Sequence, residues 1–220
     1  MFACAARAPV PFRAMETATR RDQILDVAMR HFAEHGYRAT RVEDVARVVG
    51  VAKGTVFLHF GSKEGLFLAA YERAVGMLPA WLDAPGDVVD RGFWSVLEYW
   101  LERTEADLAE AWVPNRVAML GRLDSDLAMR RPIARFMRSE DPYGSLEFVE
   151  YGVARGDLRA DLDVEMMTAM LDWAAERFQD VLGSEELDPG LVRRRNPDPD
   201  RRASRIREFV EILRGGLAAR

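Results

Sequence analysis

At 220 residues, with 49% hydrophobic and 30% charged side chains, the chain can bury a large core in one domain or two, and its composition is that of an ordinary globular protein. The single cysteine, Cys4, excludes an internal disulfide and a cysteine-rich metal site, and no apolar run has the length of a membrane span. The net charge of −5 speaks against a nucleic-acid partner until it is divided: residues 1–77 hold 11 Lys and Arg against 8 Asp and Glu, net +3, and the rest hold 20 against 28, net −8.

Residues 1–17 are rich in Ala and Pro without periodicity and are expected to be a flexible arm. Two readings of it are open: Arg7 and Arg13 add nonspecific DNA contacts, or Met15 is the true start and the arm is an artefact of the gene call. The arm lacks the long apolar centre of a signal peptide, so a cytoplasmic location is expected. A first helix follows, with Ile24, Leu25, Ala28 and Phe32 inward and Gly36 closing it. His31 and His35 on this helix have the i, i+4 spacing of a metal pair, but without a third ligand they read as a solvated face, and no metal or cofactor is expected.

The stretch Arg41 to Phe60 carries two short helices. The first places Val42, Val45, Ala46 and Val49 on one face, and Thr40 with Glu43 has the form of a capping box. Gly50 breaks it where a left-handed residue costs least. The second restarts near Lys53 and is expected to bury Val56, Phe57 and Phe60, crossing the first at the small Ala46. Such a pair is a helix-turn-helix, whose second helix can enter a DNA major groove with Lys53, Gly54 and Thr55 leading. Ser62 then caps a fourth helix carrying Lys63 and Glu64 in its first turn and Leu66, Phe67 and Ala70 inward.

Taken together, residues 20–71, about a quarter of the chain, resemble the DNA-binding domain of the tetracycline repressor (TetR) family. Ile24, Ala28, Phe32, Gly36, Tyr37, Thr40, Asp44, Ala46, Gly50, Val51, Lys53, Gly54, Thr55, His59, Phe60, Ser62, Lys63, Glu64 and Leu66 match in order and without a gap. The resemblance implies an all-α protein: an N-terminal three-helix DNA-binding domain over 18–77, with the fourth helix as connector, then a helical ligand-binding and dimerisation domain over 78–220, nine to ten helices in all. It implies a homodimer on a palindromic double-stranded operator, released by a small hydrophobic or aromatic effector. Lys53 and Lys63 are then expected on phosphates, Thr40 and His59 against the DNA backbone, and Thr55 on a base. Two departures stand out. Phe57 occupies the place of a tyrosine whose hydroxyl commonly reaches a phosphate, and Ala52 the place of a frequent capping serine.

In the second half, APGD at 84–87 marks a boundary. Helical stripes follow over Phe93–Leu108, Pro114–Leu123, from about Asp126 through Met137, and Tyr143–Arg155 ending at Gly156. Asp163 is placed to cap a helix over Val164–Leu182 that is apolar nearly all round and must be covered on more than one side. A polar loop over 183–200 leads to a last amphipathic helix, Ser204–Leu217. By order along the chain these two helices are the dimerisation pair of the resemblance, through Met167, Leu171, Phe178, Ile206, Phe209, Val210 and Leu213; filling a monomer core is the alternative. Trp94, Trp100, Trp112, Met119, Phe136, Met170, Trp173 and Phe178 are candidates to line an effector cavity, with plain core packing as the alternative for each.

The leading reading is a ligand-responsive transcriptional regulator acting as a repressor. An enzyme is the rival from another class, but the sequence offers no nucleophile elbow, glycine-rich phosphate loop or metal constellation. A dimeric interaction protein without specific DNA binding is the third reading, against which Lys53, Thr55, His59 and Lys63 argue.

Overall fold

In the computed structural model, which describes residues 19–123, 127–183 and 199–219, local sequence chemistry sets most helix ends. The helices are α1 (Arg20–Ala39), α2 (Val42–Val49), α3 (Lys53–Phe60), α4 (Lys63–Val75), α5 (Gly86–Arg91), α6 (Phe93–Glu110), α7 (Trp112–Leu123), α8 (Leu127–Glu140), α9 (Ser145–Arg155), α10 (Val164–Gly183) and α11 (Pro199–Leu217). Among the described residues the fold is all-α, the only extended pairing being an isolated antiparallel bridge between Leu158 and Ala218. The described residues hold eleven helices against the nine to ten expected, because α5, with one and a half turns, is too short to show periodicity. The N-terminal arm, the start of the eighth helix at Asp126 and the polar loop before α11 lie outside the described residues.

Two compact units are present, and α7 and α8 gather with α1–α4 in the first of them. There, Thr19 and Asp22 form a reciprocal capping box that starts α1, and Gly36, at φ +75°, interrupts it one turn before its end. Thr40 does not cap α2 as expected. Arg41 is the N-cap, with no side-chain bond, and Thr40 is buried with its hydroxyl 2.8 Å from Gly36 O and 3.0 Å from His31 O. The Thr40 N–H also returns to Gly36 O, at 3.3 Å, so both the backbone and the side chain of Thr40 close the end of α1 rather than open α2. Glu43, the other half of the expected box, instead pairs with Lys53.

The core of this unit joins Ile24, Ala28 and Phe32 of α1 to Leu66, Phe67, Ala70 and Tyr71 of α4. Phe32 meets Phe67 edge-on at 5.0 Å. Arg73 ties the two helices at their polar edge, 3.1 Å from Asp22 and 2.9 Å from Asp26. Helix α7 packs against both α4 and α1, and α8 packs against α4. Tyr71 is fully buried there, edge-on to Phe136 at 6.2 Å, and lies so close to Gly121 that a Cβ on that glycine would sit 2.3 Å from its ring.

In the second unit, Trp81, Phe148 and Phe93 stack with centroid separations of 5.1 and 4.2 Å. Asp157 accepts from the Phe93 N–H at 3.0 Å and so caps α6 from a distant turn. Asp163 caps α10, accepting from the Met166 N–H at 2.8 Å, as expected. Helices α10 and α11 pack on α6 through Met167, Leu171, Ile206 and Val210, all buried.

Candidate nucleic-acid interface

Gly50 adopts φ +76°, ψ +38°, and the Val51 N–H returns to Ala46 O at 2.9 Å, so α2 closes with a left-handed cap and the chain turns sharply into α3. Val45, Ala46 and Val56 are buried at the crossing. Phe57 and Phe60 are only half-buried, less than expected: they lie about 100° and 40° round the helix from Val56 in the same direction, toward the edge of the contact face. Ser62 caps α4, accepting from the Gly65 N–H at 3.1 Å, whereas Ala52 leaves α3 without a side-chain cap, both as expected.

The exposed side of α3 carries Gly54, Leu58 and His59, with Thr55 half-buried between them, at i, i+1, i+4 and i+5. Gly54 has no packing reason to be glycine: a Cβ there would meet nothing within 4 Å. Glycine inside a helix costs about 1 kcal/mol relative to alanine, so what the residue supplies is close access to the backbone of the helix start. The first N–H groups of α3 have no acceptor within the helix, and its dipole adds positive potential there.

Lys53 holds its Nζ 2.5 Å from Glu43 Oε1 and 5.3 Å above the Phe57 ring, poised at the rim of α3. The Lys53 ammonium in turn keeps the Glu43 carboxyl below its usual range. Lys63 Nζ donates to Arg38 O at 3.1 Å and lies 4.7 Å over the Tyr37 ring; partial burial lowers its pKa, opposed by Glu64. Tyr37 donates to Glu64 Oε1 at 3.0 Å, so the end of α1 and the start of α4 are latched together. Of the sequence candidates, Lys53, Gly54, Thr55 and His59 therefore share the accessible face of α3, and Phe57 lies under Lys53. Lys63 is held at the α1–α4 junction, and the Thr40 side chain is enclosed, only 2% exposed, with its hydroxyl committed to α1. Leu58, which sequence reasoning missed, is 83% exposed on this face. Its place four residues after Gly54 and two after the inward Val56 was the available signal.

The aromatic and methionine candidates for an effector cavity divide between the units. Met119 and Phe136 are half-buried near α4, and Trp112 is exposed. In the other unit, Trp94 lies 5.2 Å beneath the Arg214 guanidinium, Trp100 donates to Trp81 O at 2.8 Å, and Phe178 stacks on Phe209 at 4.1 Å. Met170 and Trp173 project outward, Trp173 being 65% exposed. An open hollow of about 350 Å³ beside them is lined by Leu162, Asp163, Met166, Met167, Met170 and Leu217. Of the dimer candidates, Met167, Leu171, Phe178, Ile206 and Val210 are buried inside the unit, and Phe209 and Leu213 pack against the same cluster. Among the described residues no group of three or more His, Cys, Asp or Glu side chains is arranged to hold a metal, and no helix is long and apolar enough to cross a membrane.

Residues 24–70 match the family model of bacterial regulatory proteins, tetR family. The chain is 30% identical over 170 residues to the HTH-type transcriptional repressor AcnR of Corynebacterium diphtheriae, covering 77% of this chain and 84% of that protein. It is also 30% identical over 174 residues to AcnR of Corynebacterium glutamicum, covering 78% and 86%. Among solved structures, the fold is similar to that of the transcriptional regulator FadR from Bacillus subtilis in complex with stearoyl-CoA, with a TM-score of 0.60 at 20% identity over 88% of this chain and 97% of that one.

Proposed function

The chain belongs to the tetR family of bacterial regulatory proteins, and on that premise we propose that it is a repressor that binds a palindromic operator as a homodimer and releases it on binding a small hydrophobic effector. The observation that carries the reading is the accessible face of α3, where a glycine that packing does not require stands between a rim lysine and a short hydroxyl. Phosphate contacts from Lys53 and the open N–H groups at the start of α3 would fix the register, and Thr55 would reach a base edge.

For the dimer, the exposed apolar side chains Met166, Met170 and Trp173 follow i, i+4, i+7 spacing on α10, and Ile212 is exposed on α11. This outer face supports pairing better than Met167, Leu171, Ile206 and Val210, which would have to leave their own core to reach a partner. For release, the contact of α7 and α8 with α4 supports a lever: an effector that shifts those helices moves Tyr71, and with it the helix that follows the recognition helix. Coupling of this kind is typically about 1–3 kcal/mol and must be reciprocal. The FadR structure, determined with stearoyl-CoA, makes long-chain acyl compounds the first effectors to try.

A gel-shift assay with DNA flanking the protein's own gene tests the reading. A discrete complex that resists excess random DNA, and that a hydrophobic compound dissolves, is expected. Binding no tighter than to random DNA at every flanking segment refutes it.

A further inference from the structure

Neither packing nor phosphate binding accounts for Leu58. The side chain is 83% exposed, while α3 makes its contact with the rest of the unit through the buried Val56 and the half-buried Phe57 and Phe60. At 3.6 residues per turn, Leu58 is rotated by only about 40° from Gly54 and about 60° from Thr55. A helical side chain leans toward the N-terminus, over the residue four positions earlier. For Leu58 that residue is Gly54, which has no Cβ and open space around the position of one. The accessible face of α3 is thus a shallow apolar step, made by the Leu58 isobutyl group, bare backbone at Gly54 and the short side chain of Thr55, with Lys53 and His59 at its margins.

Major-groove base edges present hydrogen-bond donors and acceptors, and the one apolar group that projects from them is the 5-methyl of thymine. A leucine pressed against a donor or acceptor desolvates it without replacing its hydrogen bond, whereas against a methyl group both partners leave water. We infer that Leu58 reads a thymine methyl group in each operator half-site and is a specificity-determining residue of this protein. The inference rests on the reading that α3 enters the major groove.

The test is a methyl deletion on the DNA. A binding sequence is selected from random DNA with the full-length protein, and each thymine in it is replaced in turn by deoxyuridine, which lacks only the 5-methyl group. Affinities are measured by fluorescence anisotropy for the wild type and for Leu58→Ala, a surface change that leaves the fold intact. At one thymine per half-site, replacement should weaken the wild type about fourfold, the worth of one buried methyl, and about fifteenfold when both half-sites are altered. Leu58→Ala should be indifferent at that position and should keep the wild type's affinity for random DNA. The inference is overturned if no thymine shows a larger methyl effect with the wild type than with Leu58→Ala. It is also overturned if the variant loses random-DNA binding in the same proportion as specific binding, since Leu58 would then serve docking rather than readout. A failure of the wild type to select any sequence instead removes the operator reading, and this inference with it.

Discussion

Gly121→Ala is the sharpest probe of the packing that connects α4 to α7. The added Cβ would sit 2.3 Å from Tyr71 Cε2 and 2.4 Å from Cδ2, whereas ordinary contact begins near 3.4 Å, so the ring or the helix must give by about 1.1 Å. Tyr71 is 1% exposed, with Phe136 on its edge and the Ile133 Cδ1 3.4 Å from the same added Cβ, so the ring has no open side to swing into. Overpacking of this kind costs typically about 1–3 kcal/mol. For a chain of this length that is a fall in Tm of roughly 2–12 °C, read by calorimetry or by circular dichroism. Pairing Gly121→Ala with Tyr71→Leu, which removes the ring, should cost less than the two single changes summed, by an interaction energy of about 0.5–3 kcal/mol. A neutral Gly121→Ala, or strict additivity in the double variant, would refute the claim that α7 bears directly on α4 through this ring.

Lys53→Ala should weaken operator and random DNA about equally and lower the slope of log affinity against log salt by roughly one per protomer, because a phosphate contact carries no sequence information. Phe57→Tyr should tighten DNA binding by about 0.5–1.5 kcal/mol, the net worth of one hydrogen bond; unchanged affinity would mean that the ring beneath Lys53 does not face a phosphate. Trp173→Glu should give a folded monomer by light scattering, since it puts a charge on the exposed α10 face without touching the core, and a stable dimer would move the interface elsewhere. The Glu64 carboxyl is held below its usual value of 4.5 by its own backbone N–H and by Ser62 and Tyr37, so its contribution to stability is present above that pH and is lost as pH falls through the lower folded value. The stability gap between wild type and Glu64→Gln, measured by urea unfolding, should accordingly shrink below pH 4.5, and a gap that stays constant would contradict the latch.

Local chemistry was the legible part of this protein. Gly50, Ser62 and Asp163 stand where a left-handed cap or a side-chain acceptor is needed, and each does what its sequence neighbours imply. Thr40 is not legible in this way, because one hydroxyl can serve the helix before it or the helix after it and the local pattern suits both; its bonds go back to α1. Helix α10 shows a different limit. Its apolar residues surround the axis, so the pattern says that it is covered on more than one side without saying which side faces its own unit; Met166 and Met167 are neighbours in sequence with opposite fates. In the run Val56–Phe60, four of five side chains are apolar, which hides the outward Leu58 among inward residues. The seating of Tyr71 on Gly121 joins positions fifty residues apart and leaves no periodic trace in either helix.

Two copies of α3 reading DNA from one face would leave a distinctive hydroxyl-radical footprint on the selected sequence. Two protected segments should appear on one side of the duplex, about 10–10.5 base pairs apart from centre to centre or a whole multiple of that, and both should weaken together in Lys53→Ala. A single protected segment, or a spacing that places the two on opposite faces of the duplex, would contradict that arrangement.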